Sequence, residues 1–257
     1  DMMNAKAEEL GCTDSHFVTP NGLDGEDEGG AHHTTAYDLS RIMAYCIQNE
    51  AFLSITQIPS VQISTVDGTK SYSLTNHNSL LQMMDGALSG KTGFTARAGY
   101  CYVGAYQSGN HIYTFALLAC GWPSHRDYKW SDARQLIAYA EENYSDRILA
   151  EGQTAVTIPV SDAVTVSNHC IMHPETIAAH TTGETIIAFL SDTDEVDIRY
   201  DLPESVAAPA AAGTAVGSEK LYLNGVLYAE REITLSESVE RYDLRWCLDR
   251  VIQMFLQ

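Results

Sequence analysis

Basic residues are scarce in this chain of 257 residues. Fifteen lysines and arginines stand against 34 aspartates and glutamates, a formal net charge of −19. Such a field repels phosphate backbones and anionic headgroups, which excludes nucleic acid as a partner. Long apolar runs are missing too: none approaches the roughly 18 residues that a bilayer-spanning helix needs. No signal peptide is visible, because Asp1-Met2-Met3-Asn4-Ala5-Lys6-Ala7-Glu8-Glu9-Leu10 reads as an amphipathic helix already under way. Cys12, Cys46, Cys101, Cys120, Cys170 and Cys247 show no C-x-x-C spacing and fall mostly in apolar runs such as Leu117-Leu118-Ala119-Cys120. Buried free thiols are therefore expected, and not a disulfide framework. His32-His33, His169-Cys170 with His173, and His180 match no four-ligand zinc spacing and read as surface or core residues. The loop Asp24-Gly25-Glu26-Asp27-Glu28 lacks the D-x-D-x-D-G pattern of a calcium loop. Neither a metal nor a cofactor is expected.

Hydrophobic residues make up 45% of the chain, enough for a substantial core. Residues 2–10 predict the end of a helix, and Asp14 to Gly30 a loop rich in Gly, Asp and Glu. Thr35 opens a helix as a capping box with Asp38, and Leu39, Ile42, Met43 and Cys46 form its apolar stripe. Val61 to Thr65 and Tyr72 to Leu74 alternate like strands around Asp67-Gly68. Ser131 reads as the cap of a further helix with Leu136, Ile137, Ala140 and Tyr144 on one face. Beyond Tyr144 the pattern changes to short β-prone runs: Thr154 to Val166, Thr185 to Leu190, Val196 to Tyr200 and Lys220 to Leu227. Pro209 to Gly213 predicts a loop and Asn224-Gly225 a hairpin turn. The expected organisation is an α/β (α+β) domain over 1–150, a small all-β domain over 151–240 and an amphipathic helix over 241–257. On that last segment Leu244, Leu248, Val251 and Phe255 share a face, which suits either an interfacial helix or ordinary packing.

One motif carries chemistry. Lys91-Thr92-Gly93 lies in Asp85-Gly86-Ala87-Leu88-Ser89-Gly90-Lys91-Thr92-Gly93-Phe94-Thr95-Ala96-Arg97-Ala98-Gly99-Tyr100. K-T-G is one of three motifs that build the acylation site of penicillin-binding proteins and serine β-lactamases, beside S-x-x-K and S-x-N. Ala98 to Ala105 then reads as a strand, followed by a turn and a second apolar run, His111 to Cys120. That setting puts K-T-G on an edge strand, where an extended peptide can pair with the backbone. The other two motifs are missing. Three residues before the five lysines stand Met3, Asp67, Leu88, Arg126 and Gly217, so no S-x-x-K occurs. The single S-x-N match, Ser108-Gly109-Asn110, has the composition of a hairpin turn.

The order of several segments resembles the low-molecular-weight penicillin-binding proteins, the serine-type D-alanyl-D-alanine carboxypeptidases of peptidoglycan metabolism. Met3 to Gly11, His16-Phe17 and Asn21-Gly22-Leu23 look like the family's segment after S-x-N. Thr34-Thr35-Ala36-Tyr37-Asp38-Leu39 matches its next helix start, and Gly90 to Thr95 with Ala98 to Cys101 its third motif. His125-Arg126-Asp127 resembles its Arg-Glu segment, and residues 206–235 its C-terminal β-domain.

The resemblance implies an incomplete transpeptidase-like domain, with both missing motifs expected N-terminal to Met3. It implies roles as well. Lys91 would sit beside the nucleophile, Thr92 would bond the substrate carboxylate, and Gly93 would let the peptide approach. The Phe94 N–H would be an oxyanion-hole donor, and Arg126 would anchor the carboxylate. The implied partners are peptidoglycan stem peptide, β-lactams and a fragment carrying the serine. The implied location is the outer face of the bacterial cytoplasmic membrane, with peripheral contact. This chain alone is expected to be inactive. A serine β-lactamase and a non-catalytic wall-binding relic remain as alternatives.

Overall fold

A computed structural model describes residues 1–167 and 170–256. Contacts divide the chain into two units, Asp1–Glu142 and Asn143–Gln257. His169 and the Cys170 side chain lie outside the described residues.

In the first unit Thr35 caps helix Ala36–Cys46, its hydroxyl accepting the Asp38 N–H at 3.1 Å. Only half of the capping box forms. The Asp38 carboxylate turns away and accepts from the Asp14 N–H and the Ser15 hydroxyl, at 3.1 and 2.7 Å. It thereby ties the preceding loop to the helix, and it is buried. Met43 is buried on the predicted stripe, with Leu39, Ile42 and Cys46 half-buried. A second helix, Glu50–Thr56, was not expected from the pattern, although Asn49 caps it through bonds from Ala51 and Phe52. The hairpin Ser60–Ser64 with Ser71–Thr75 forms as read.

Ala87–Thr95, Gly99–Ser108 and His111–Leu117 build an antiparallel sheet in that order, so the K-T-G strand lies at one end. Ser108 pairs with His111 across Gly109, whose φ of 57° is left-handed, and the S-x-N match is a turn. Leu80, Tyr102, Phe115, Trp130, Ala133 and Ile137 form the core on one face of this sheet. The Tyr102 ring sits 5.7 Å from Phe115 and 4.9 Å from Trp130, both in edge-on contact.

Two expectations are corrected here. The last helix of this unit runs Tyr128–Asn143, so Ser131 is inside its first turn and its hydroxyl donates to the Tyr128 carbonyl. The helix buries Trp130, Ala133 and Ile137 at i, i+3 and i+7, while Leu136 is exposed and Tyr144 lies beyond the helix, in the next strand. The thiols differ as well. Of the described cysteine side chains, all free, only Cys12 is buried and Cys247 is exposed.

Tyr144–Ala150 is a strand pairing with Ile186–Ser191 in the second unit, so the first unit stops at Glu142 and not near 150. A six-stranded sheet follows the order Val196–Asp201, Ala215–Leu223, Val226–Leu235, Thr176–Thr181, Ala155–Ser161 and Val206–Ala207. The apolar run read as Lys220 to Leu227 is cut by Asn224-Gly225, both left-handed, into two strands of a hairpin. The run Thr154 to Val166 is likewise broken at Asp162, φ 54°, into Ala155–Ser161 and Ala163–Ser167. Ile158, Ile177, Ile233 and Leu235 head the core of the large sheet. Arg231 and Glu219 form a buried ion pair at 2.5 Å, and the guanidinium also donates to the Glu151 and Glu184 carbonyls. Helix Leu244–Phe255 is capped by Asp243 and buries no residue.

Candidate active-site wall

The K-T-G strand owes its shape to its turn. Thr95 accepts the Ala98 N–H at 3.0 Å and donates to the Asp24 carboxylate at 3.1 Å, which joins the acidic loop to the end of the strand. Antiparallel pairing sets Thr92 opposite Tyr102 and Phe94 opposite Tyr100, so these four side chains share one face. Lys91 and Gly93 pair with Val103 and Cys101 on the other.

A pocket of about 640 Å³ opens beside the strand. Thr92, Gly93 and Phe94 form one wall, Asn76, His77 and Ser79 a second. Arg126, Asp127, Lys129 and Trp130, at the entry to helix Tyr128–Asn143, line it together with Tyr100. Four of the five predicted site residues are thus brought together: Thr92, Gly93, Phe94 and Arg126. Lys91 is not among the lining residues. It is exposed, and its ammonium donates to the Thr92 carbonyl.

Each wall has a chemical character. A Cβ added to Gly93 would meet nothing within 4 Å, and its φ is not left-handed. Nothing inside the chain demands glycine there; the missing side chain leaves room for a ligand. Arg126 is largely exposed and only loosely held, its Nε 3.8 Å from the Asp127 carboxylate. Its planar fork of donors is free to turn to a carboxylate.

Lys129 was missed by the sequence reading, which tested it only as the end of an S-x-x-K. It is buried, donates to the Arg126 carbonyl, and lies 4.8 Å from the Tyr100 ring centre and 4.9 Å from that of Trp130. Burial pulls its pKa below the ordinary lysine value. The neighbouring Cys120 thiol donates to Asp132 at 3.0 Å, and burial first, then that carboxylate, push its pKa up to about 12. That thiol is no nucleophile. A usable signal existed: helix-entry residues face whatever the first turn packs on, and Trp130 needed a core.

His32, His16 and His180 have separate partners. The His32 Nδ1 accepts from Val18 and Thr19, His16 bonds Asp27 at 2.7 Å, and His180 bonds Ser236 at 2.9 Å. Among the described residues no three His, Cys, Asp or Glu side chains gather to hold a metal.

An edge strand carrying K-T-G over a helix-entry cation, followed by a sheet-rich region, is the arrangement of a penicillin-binding-protein fold. Known proteins agree. Residues 1–117 match the D-alanyl-D-alanine carboxypeptidase family. The carboxypeptidase DacB2 of Mycobacterium tuberculosis is 40% identical over 116 residues, 45% of this chain and 38% of the relative. DacF of Bacillus subtilis is 24% identical over 243 residues, 93% of this chain and 58% of the relative. The fold of the carboxypeptidase DacD from Francisella tularensis superposes with a TM-score of 0.62 at 20% identity, over 94% of this chain and 68% of that one. Residues 1–117 thus resemble the D-alanyl-D-alanine carboxypeptidases, which are low-molecular-weight penicillin-binding proteins. The chain spans between 38% and 58% of the length of these two curated relatives.

Proposed function

We propose that this chain supplies the substrate-carboxylate wall of a D-alanyl-D-alanine carboxypeptidase acting on peptidoglycan stem peptides. The observation that carries the reading is one pocket in which Thr92 and Gly93, on an end strand, face the cations Arg126 and Lys129. A stem peptide would lie extended along strand Ala87–Thr95, using its unpaired backbone groups. The Thr92 hydroxyl would donate to the terminal carboxylate, Arg126 would grip both oxygens, and Lys129 would add a desolvated positive charge. The Phe94 N–H would donate to the carbonyl oxygen of the bond being cut. Attack there by a serine hydroxyl gives an acyl-serine ester and frees D-alanine; water then hydrolyses the ester. Lys91 would favour the ionised nucleophile by its charge. Both curated relatives reported above carry the name D-alanyl-D-alanine carboxypeptidase, which supports the reading.

No S-x-x-K occurs in these 257 residues, so the acylated serine has to come from elsewhere. Fluorescent penicillin should leave no covalent band on this chain, and adding a fragment that carries S-x-x-K and S-x-N should restore labelling. A stable adduct on this polypeptide alone overturns that part. Carboxylate recognition is tested separately by titrating the ¹⁵N-labelled chain with N-acetyl-D-alanyl-D-alanine and with its C-terminal amide. The acid should shift the Thr92 to Phe94 amides and the amide should not. Arg126→Ala should weaken binding of the acid by roughly tenfold or more, the scale of a lost charged hydrogen bond. Equal binding of acid and amide removes the carboxylate reading.

A further inference from the structure

Gly90 and Gly104 leave a hollow beneath the K-T-G strand, filled by Tyr102 with Asn78 on one side and Phe115 on the other. They are paired across the strands, and Thr92 opposite Tyr102 is the next pair on the same face. Tyr102 is 1% exposed and lies over both glycines. A Cβ on Gly90 would come within 2.7 Å of the Tyr102 hydroxyl and ring and 2.8 Å of the Asn78 Nδ2. On Gly104 it would come within 2.9 Å of the same hydroxyl. The strand therefore rests on the Tyr102 phenol with no side chain between.

The phenol is itself fixed. Its hydroxyl donates to the Asn78 Oδ1 at 2.8 Å, and burial raises its pKa, so it stays a donor. Asn78 is held in turn: its N–H donates to the Asn76 Oδ1 at 2.9 Å, and the Asn76 amide reaches the Thr56 and Ile58 carbonyls at 2.8 and 3.1 Å. Asn76, His77 and Ser79 line the pocket while Asn78 points beneath the strand, so this short segment touches both the wall facing Thr92 and the support under it.

Asn78 carries an anomaly. Only 3% of the residue is exposed, and its Nδ2 is a buried side-chain atom with no hydrogen-bond partner among the described residues. A buried unpaired donor costs about 1–3 kcal/mol, a cost that an apolar residue would avoid. The gain that offsets it is location: the side-chain oxygen holds the phenol, and the nitrogen abuts the bare Cα of Gly90.

We propose that Asn78 and Tyr102 are positioning residues that set the height of the K-T-G strand, and with it the reach of Thr92 across the pocket. The effect on ligand rests on the carboxylate-binding reading above; the effect on the strand does not. Two substitutions perturb the support in opposite senses. Tyr102→Phe removes the hydroxyl, and Gly90→Ala presses a methyl group against it. Ile137→Ala serves as control, because it loosens the same core from the side of helix Tyr128–Asn143.

In the ligand-free ¹⁵N-labelled chain, Tyr102→Phe and Gly90→Ala should each move the Lys91 to Phe94 amide resonances, while Ile137→Ala leaves them in place. Both should weaken binding of N-acetyl-D-alanyl-D-alanine by roughly five- to tenfold, as expected when a contact is misplaced by a fraction of an ångström. The control should stay within about twofold even though it lowers the melting temperature at least as much as Tyr102→Phe. Unmoved Lys91 to Phe94 resonances in Tyr102→Phe overturn the inference. So does binding that falls in step with melting temperature across all three variants. If the unaltered chain binds no dipeptide, the carboxylate reading fails, and the amide resonances decide the positioning role by themselves.

Discussion

Lys129 and Arg126 sit three residues apart and offer the pocket two different cations. Arg126 is solvated and adjustable. Lys129 is fixed between two rings and partly stripped of water, which gives it a pH signature. Because burial lowers its folded-state pKa, the folded chain releases this proton before the unfolded chain does. Between the two pKa values the unfolded chain binds more protons, so stability rises with pH across that window and the penalty is fullest below it. Denaturant melts of the chain and of Lys129→Met, compared from neutral pH up to 10.5, should show the variant's relative advantage shrinking as pH rises. A constant difference would mean that Lys129 titrates as an ordinary lysine. At this scale the sequence was readable where the chemistry is local. Thr35, Asn224-Gly225 and the turn at Gly109 act through their own backbone, and K-T-G is a contiguous tripeptide. Lys129 acts through what its helix packs on, which spacing alone does not display.

At the scale of elements, one misplaced helix start explains part of what was misread. Taking Ser131 as a cap instead of a first-turn residue put Lys129 and Trp130 outside the helix, and so hid both. Helix Glu50–Thr56 had a readable start at Asn49 but only two turns, too few for a periodic pattern to stand out. Strands broken by a left-handed residue, as at Asp162, look continuous in sequence because aspartate is not the glycine that such breaks usually use. Helix Leu244–Phe255 was read correctly as an element. Leu244, Leu248, Val251 and Phe255 are all at least half exposed. We propose that this face makes peripheral contact with the outer surface of the cytoplasmic membrane. A helix this short gives weak, reversible binding, and the −19 charge opposes anionic lipid. Liposome flotation of the chain with and without residues 241–257 tests it. Deletion should abolish partitioning to zwitterionic vesicles, and unchanged partitioning would show that the helix serves another purpose.

On the scale of the whole chain, each unit has its own source of order. The first is centred on aromatic packing around Tyr102. The second closes around an ion pair, since Arg231 bonds Glu219 and also caps the Glu151 and Glu184 carbonyls. One guanidinium thus joins the hairpin of the large sheet to the end of strand Tyr144–Ala150 and the start of strand Ile186–Ser191. Arg231→Met leaves Glu219 buried without its counter-charge, and should cost about 3–5 kcal/mol in a denaturant melt. The double variant with Glu219→Leu should recover much of that loss, because two apolar groups replace two charges. If the double variant is no better than the single, the carbonyl bonds of Arg231 matter more than its ion pair.

The glycines of the K-T-G strand have a consequence for association. A sheet that ends on an unpaired strand offers its ladder to any extended chain, a second copy of itself included, and such edges are where proteins aggregate. Gly90 and Gly93 contribute no side chain to cross-strand packing, and Lys91 adds an exposed charge between them. An intruding strand gains backbone bonds there but almost no lateral grip. Only a partner that brings its own anchor, such as a carboxylate for Arg126 and Lys129, would gain from staying. The bareness that leaves room for such a partner also keeps this edge from becoming a seam.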